Sequence, residues 1–187
     1  MKSFEEIYEI VKKELSEERF HHSVCVMERC IEFATIHGED VEKARLIGIA
    51  HDIAKEIPKE LRVKVAEEND VCLDEFEKRY TSLIHAKLGA KLCEKRFGFS
   101  KDMCDAIAAH TTAKSNMTTL QKILYLSDYS EASREFKGAL ETYEMGKENL
   151  DKGYFMALVG KIKFTLDRNI PIHQNSIEAY NNFIEKR

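Results

Sequence analysis

The sequence predicts an all-α bundle, and three observations carry that prediction. Only 2 prolines and 8 glycines occur in 187 residues, too few for the turns of a sheet protein of this length. Charged residues make up 33% and apolar residues 43%, a mixture suited to long amphipathic helices. Apolar residues also recur at three- and four-residue intervals over most of the chain. No internal repeat, low-complexity tract or linker divides it, so residues 1 to 187 are expected to form a single domain with one core.

The elements follow in order. Ser3-x-x-Glu6 has the pattern of a capping box and leads Phe4, Ile7, Val11 and Leu15 at helical spacing. A second helix starts near Ser16, carries Phe20, Val24, Met27 and Ile31, and stops at Gly38, where a left-handed cap costs little. The third runs from Asp40 to a stop at Pro58, with Ala44, Ile47, His51 and Ala54 on one inward face. Asp52 lies about 100° around that helix. It sits below Gly48, whose missing side chain is expected to leave room for a ligand. A shorter helix covers Pro58 to Asn69, followed by a polar, partly helical crossing over 70–80. Ser82 should cap the next helix, with Ala86, Gly89, Ala90, Cys93 and Phe97 inside and Gly98 as its stop. Ser100 opens another, whose stripe of Met103, Ala106, Ile107 and His110 puts His110 at its inner end. Thr118 or Thr119 opens the helix of Leu120, Ile123, Leu124, Ser127 and Asp128. A looser, glycine-containing segment then leads to two closing helices, Tyr154 to Asp167 and Ser176 to Ile184.

Charge excludes one large class of function. The formal net charge is -4 with both signs interspersed, so no basic field exists to track a nucleic-acid polymer. No run approaches the roughly 18 apolar residues of a membrane span, and the N-terminus is acidic and amphipathic, so a cytoplasmic protein is expected. Cys25, Cys30, Cys72, Cys93 and Cys104 have no C-x-x-C spacing and read as small apolar residues in a reducing compartment.

The chemistry concentrates at His51 and Asp52. A carboxylate taken out of water without partners costs several kcal/mol, so an inward His-Asp pair calls for a cation, a hydrogen-bond network or an opening to solvent. His22, His51, Asp52 and Asp128 come from three predicted helices. Two imidazoles and two carboxylates suit iron, manganese or zinc. Arg19 lies three residues before His22, and Lys55 four after His51, so each can share a face with its neighbour and clamp phosphate. His85 and His110 can bind a second metal, hold phosphate or donate a proton to a leaving oxygen. Other metal patterns fail: Glu18-x-x-His21 has no second copy, and neither His-Glu-x-x-His nor a P-loop or dinucleotide fingerprint occurs.

These residues resemble a known family. His22, His51-Asp52 and Asp128 match the ordered pattern of HD-domain metal-dependent phosphohydrolases. Arg19-Phe-His-His-Ser23, His51-Asp-Ile-Ala-Lys55, Ile84-His-Ala-Lys-Leu-Gly89, Ala109-His-Thr-Thr112, Ser127-Asp-Tyr-Ser-Glu131 and Pro171-Ile-His173 are similar to its YqeK type over nearly the whole chain. The resemblance implies an HD-type bundle with a metal site between helices, and symmetrical hydrolysis of diadenosine tetraphosphate to two ADP, typically with iron. It implies His22, His51, Asp52 and Asp128 as metal ligands, with catalytic roles for Asp52, His85 and His110. Arg19, Asp52, Lys55, His85, His110, Asp128 and Arg134 would face the polyphosphate or nucleotide, and Ile170, Pro171, Ile172, His173, Gln174 and Asn175 the nucleoside. Partners are then a dinucleoside polyphosphate and its ADP product, with a homodimer left open. Two stretches depart from the pattern. Ala113-Lys-Ser-Asn-Met117 stands for Gly-Arg-Pro-x-Met, and Glu131-Ala-Ser-Arg134 for Glu-Pro-Asn-Arg. The alternatives are another HD nucleotide phosphatase or phosphodiesterase, or a metal-stabilised nucleotide-binding module without turnover.

Overall fold

The structure, a computed structural model, describes residues 1–186, and of Lys137 the backbone alone. Among the described residues there are eleven α-helices and no strand. Helix α1 (Phe4–Glu14) starts on its capping box, Ser3 and Glu6 each accepting from the other's amide. Helix α2 (Glu17–His37) is capped by Ser16 and closed by Gly38 at φ 69°. Its deepest residues are Val26, Cys30, Phe33 and Ala34, whereas Phe20, Val24, Met27 and Ile31 are half-buried. The helix is gripped from two sides, by α3 and α8, which shifts the buried stripe around its axis.

Helix α3 (Val41–Ala50) ends eight residues before Pro58, earlier than its periodicity predicts. Beyond it the chain tightens into turns: the amides of Ile53, Lys55 and Ile57 donate to carbonyls three residues back, at 3.1, 2.8 and 3.4 Å. A residue before proline is driven out of the α region. The carbonyls left over are taken by Arg62, whose buried guanidinium donates to Ile57 at 2.9 Å, to Thr81 at 3.2 Å and to Lys55. His51 and Asp52 therefore stand at the mouth of a helix end.

Helix α4 (Arg62–Glu68) and α5 (Glu75–Arg79) lead through a 3₁₀ turn at Thr81–Leu83 into α6 (Ile84–Phe97). The 3₁₀ turn replaces the predicted Ser82 cap, and no side chain caps α6. Helix α7 (Lys101–Ala109) begins after Ser100, whose hydroxyl bonds Asp102 rather than a helix amide. Helix α8 (Thr119–Ser130) starts on a capping box of Thr118 and Gln121. The segment read as loose is instead ordered into α9 (Lys137–Glu148), and α10 (Leu150–Asp167) follows directly. Helix α11 (Gln174–Glu185) closes the chain. The main core draws Ile7, Phe33, Ile47, Phe97, Ile107, Tyr125 and Leu158 from seven helices. The five cysteines are free, Cys72 exposed. No helix among the described residues is long and apolar enough to cross a membrane.

Two glycine contacts explain helices that composition disguised. A Cβ on Gly153 would lie 2.5 Å from Gly146 Cα, so α9 and α10 meet backbone to backbone. That contact outweighs the roughly 1 kcal/mol a glycine costs in a helix. A Cβ on Gly48 would lie 2.6 Å from Met27 Cα, so Gly48 serves the α2–α3 contact and not, as the sequence suggested, a ligand. Gly48→Ala must push two backbones apart and should lower stability by about 1–3 kcal/mol in denaturant melts. Gly138→Ala, which meets a Tyr129 hydroxyl at 3.4 Å and the Phe136 ring at 3.7 Å, both ordinary contacts, should leave stability equal or slightly raised. Equal melts for the wild type and the Gly48 variant would show that α2 and α3 tolerate separation.

Candidate metal centre

Three elements bring the predicted ligands together. His22 lies on α2, His51 and Asp52 at the end of α3, and Asp128 on α8. His85 opens α6 and His110 closes α7. His51 is 0%, Asp52 2%, His85 1% and His110 2% exposed, so four titratable groups are sealed inside the bundle. Ligand atoms of His22, His51 and Asp128 lie within 4.8 Å of one another, and so do those of His51, Asp52 and His110. His22 Nε2 is 3.3 Å from Asp128 Oδ1, and His51 Nε2 is 3.7 Å from Asp52 Oδ2.

The rings are held by their far nitrogens. Nδ1–H of His51 donates to the Gly48 carbonyl at 2.8 Å, that of His85 to Ser82 at 2.7 Å and that of His110 to Ile107 at 2.7 Å. Each partner is three residues back; for His51 it is one of the carbonyls a helix end leaves unpaired, and for His110 it is a carbonyl that also accepts from the His110 amide at 3.3 Å. His22 sits in the first turns of α2, and its Nδ1 meets the buried Glu131 carboxylate at 3.2 Å. Anchoring Nδ1 leaves the Nε2 lone pair for the centre. Burial pushes His51 down to about 3 and His85 down to about 4, so both rings are neutral near pH 7. Burial pushes Asp52 up, and the surrounding His51, His110 and His85 outweigh it, holding the carboxyl well below its usual range. His22 runs the other way: burial lowers it, but Asp128 and Glu131 raise it overall.

Donor chemistry fits a cation here. His22 Nε2, His51 Nε2 and Asp52 Oδ1 are buried and make no hydrogen bond among the described residues. The two imidazole nitrogens converge with Asp128, while Asp52 Oδ1 faces His85 Nε2 at 3.2 Å and His110 Nε2 at 3.5 Å, and such buried acceptors are costly unless something positive stands among them. Two imidazole nitrogens and two carboxylates suit a borderline or hard divalent ion. A third His/Asp/Glu group, Asp74, Glu77 and His173, does not share this character. Its atoms are already engaged. Glu77 pairs with Lys87 at 2.6 Å, and His173 Nδ1 accepts from the Asn175 amide at 3.1 Å while Nε2 faces Asp74 at 3.3 Å.

Cations ring the carboxylates. Arg19 Nη1 donates to Asp52 Oδ2 at 3.1 Å, Lys55 Nζ is 3.9 Å from Asp52 Oδ1, and Arg134 Nη2 is 3.4 Å from Asp128 Oδ1. Lys161 on α10, which sequence reasoning missed, donates to Asp128 Oδ2 and to the His110 carbonyl, both at 2.9 Å. No local pattern marks it, since Asp128 is 33 residues away. Glu131 was legible only as the end of Ser127-Asp-Tyr-Ser-Glu131. Lys55 Nζ also reaches His85 Nε2 at 3.0 Å, and His85 and His110 oppose Nε2 to Nε2 at 3.2 Å. With its proton on Nδ1, the neutral His85 ring accepts from Lys55 at Nε2.

Ile170, Pro171, Ile172 and His173 line a cavity of about 110 Å³ together with Phe76, Tyr80 and Lys161. Gln174 and Asn175 do not line it: the Gln174 side chain turns to Glu178 at 2.8 Å, and the Asn175 amide caps α11 through His173.

A helical bundle with an inward His, His-Asp and Asp set defines the metal-dependent HD class, and residues 19–133 match the family model of the HD domain. The chain belongs to the HD-domain family, in its YqeK-type branch. A Halalkalibacterium halodurans protein named bis(5'-nucleosyl)-tetraphosphatase, symmetrical, is 35% identical over 94% of each chain. A Bacillus subtilis protein of the same name is 32% identical over 95% of each. A crystal structure of a predicted HD superfamily hydrolase involved in NAD metabolism, from Clostridium acetobutylicum, is 37% identical, with a TM-score of 0.95 over 100% of both chains. HD domains bind divalent metals, and the His and Asp groups here can hold one.

Two variants test the centre through metal content. His51→Ala removes a proposed ligand and should abolish stoichiometric metal after dialysis. Glu131→Ala leaves all four ligands but frees the His22 ring, and should weaken metal affinity about 10–100-fold. Wild-type metal content and affinity in both variants, measured by elemental analysis and chelator competition, would exclude a metal at this place.

Proposed function

We propose that this protein is a metal-dependent hydrolase that cleaves diadenosine tetraphosphate symmetrically into two ADP. The observation that carries the reading is one arrangement: orphaned ligand atoms of His22, His51 and Asp52 beside Asp128, ringed by Arg19, Lys55, Lys161 and Arg134. The names of full-length relatives at 35% and 32% identity support the substrate. His22, His51, Asp52 and Asp128 would hold the metal, most simply iron, with manganese or zinc as substitutes. A bound ion there supplies positive charge to phosphoryl oxygens and lowers the pKa of water.

The chain's own residues do the rest. Water adds to one inner phosphorus, and the bond from that phosphorus to the central bridging oxygen breaks, so one water and one tetraphosphate give two diphosphates. Arg19 and Arg134 stand on opposite sides of the carboxylate pair, bonded to Asp52 and Asp128, and are only 31% and 39% exposed. They hold the phosphates by forked donation. Lys55 and Lys161 offset charge as it moves to the leaving ADP. Lys55, whose ammonium reaches the neutral His85 Nε2 at 3.0 Å, is placed to give that leaving group a proton, with His85 and His110 opposed at 3.2 Å beside it. The cavity beside Lys161, with Phe76, Tyr80 and Ile172 on its walls, receives a nucleoside.

Two outcomes check this. Chromatography of the first products should give ADP alone, and in isotopically labelled water one of each two ADP molecules should carry solvent oxygen on its terminal phosphate. AMP plus ATP, or no metal-dependent cleavage across iron, manganese and zinc, would reject the assignment. Arg19→Lys keeps the charge and loses the fork, so kcat/KM should fall roughly tenfold, the ~1.5 kcal/mol of one charge-assisted bond, with metal content unchanged. Equal kinetics would leave Arg19 as a partner of Asp52 only.

A further inference from the structure

A cavity of about 370 Å³ opens between the loop after α7, the start of α10 and the C-terminal half of α11, sharing no lining residue with the metal centre. It falls within the roughly 300–1,000 Å³ of small-ligand sites. Lys114, Lys122 and Lys186 line it, against one carboxylate, Asp151, on a chain whose net charge is -4. Lys122 is neutralised by Asp151 at 2.6 Å, and Lys186 donates to the Asn116 side chain. Lys114 is different: it is half-buried and makes no ion pair or hydrogen bond among the described residues. Its charge is therefore left unmatched by the chain at the wall of the cavity.

A second donor points the same way. Tyr154, 3% exposed, lines this cavity, and its hydroxyl, open to solvent, makes no hydrogen bond among the described residues and so is free to donate. Burial, with the Asp151 carboxylate nearby, pushes the phenol up, so it remains a neutral donor. Met117, 6% exposed, supplies an apolar wall. The loop that carries Lys114 is held in an uncommon shape. Ala113 and Asn116 have φ of 57° and 55°, and a left-handed alanine costs about 1–2 kcal/mol.

We propose that this cavity is a second ligand site, for a small organic phosphate. The anion lies between Lys114 and the Tyr154 hydroxyl, with Lys186 at the rim, and the organic part rests against Met117. The reading is independent of the reaction at the metal centre. Phosphate is favoured over a carboxylate because its oxygens can accept from the Lys114 ammonium and the Tyr154 phenol together, with the Lys186 charge at the rim.

The test uses the full chain carrying ¹³C-methyl methionine, titrated separately with inorganic phosphate and with AMP. Of the 6 methionines, Met117 alone lines the cavity. Its methyl resonance should move saturably with AMP and more weakly with phosphate. Lys114→Glu should weaken that titration at least tenfold while the other methyl resonances keep their unliganded positions, which shows the fold intact. Tyr154→Phe, which keeps the ring, should weaken it by roughly three- to tenfold. A Met117 resonance unmoved by millimolar AMP and phosphate, or titrating equally in wild type and Lys114→Glu, overturns the site. Equal affinity for phosphate and AMP overturns the organic part of the assignment.

Discussion

Two carboxylates, Asp52 and Asp128, are taken largely out of water at the meeting point of α2, α3, α7 and α8, and the rest of the molecule answers that cost. Their side chains are 3% and 14% exposed. An unpaired buried carboxylate would protonate or unfold its surroundings. Here each is held ionised by groups from distant segments: Arg19, Lys55 and the histidines for Asp52, Lys161 and Arg134 for Asp128. Because these partners span residues 19 to 161, the centre exists only after the helices have packed. Glycine contacts such as Gly48 on Met27, which look remote from chemistry, set how closely the ligand-bearing helices approach.

The same economy fixes the imidazoles. A helix end leaves carbonyls without amide partners, and a ring one turn on can take one. His51 does this at the end of α3, while His110 shares the Ile107 carbonyl with its own amide at the end of α7 and His85 takes the Ser82 carbonyl at the 3₁₀ turn before α6. Early termination of α3 is thus part of the site. A helix continued to Pro58 would return the Gly48 carbonyl to the Asp52 amide and leave His51 Nδ1 to find another acceptor. His22 has no helix end within reach and depends on Glu131, which Ser133 and Arg134 hold in turn.

Much of the fold, and the meeting of His22, His51, Asp52 and Asp128 at one centre, was legible in the sequence. Capping boxes and glycine stops gave α1, α2, α6 and α8 their ends, because those signals act within four residues. Helical period placed His22, His51, His110 and Asp128 inward for the same reason. What escaped depends on contacts between distant segments. Helix α9 looked loose because Gly138 and Gly146 lower its intrinsic propensity, and only packing against Gly153 repays one of them. Arg62 and Lys161 carry no local signal, since most of the carbonyls and the carboxylate they serve come from other elements. Ser82 has the right residue type for a cap, but the 3₁₀ turn had already supplied the first turn of α6.

Charge explains why the rim and the centre belong to one device. Asp52, Asp128 and Glu131 face Arg19, Lys55, Lys161 and Arg134, so the protein groups alone leave about one positive charge. That small excess suffices to keep the carboxylates ionised and is too small to hold a strongly anionic substrate. A divalent ion among the ligands would raise the excess to about three, approaching the one negative charge on each phosphate of a dinucleoside tetraphosphate. Metal and substrate binding are then coupled through the same carboxylates: each cation that turns from Asp52 or Asp128 toward a phosphate needs the ion to take its place. On this reading, the arginines now bonded to the ligand carboxylates wait in the positions from which they engage the polyphosphate.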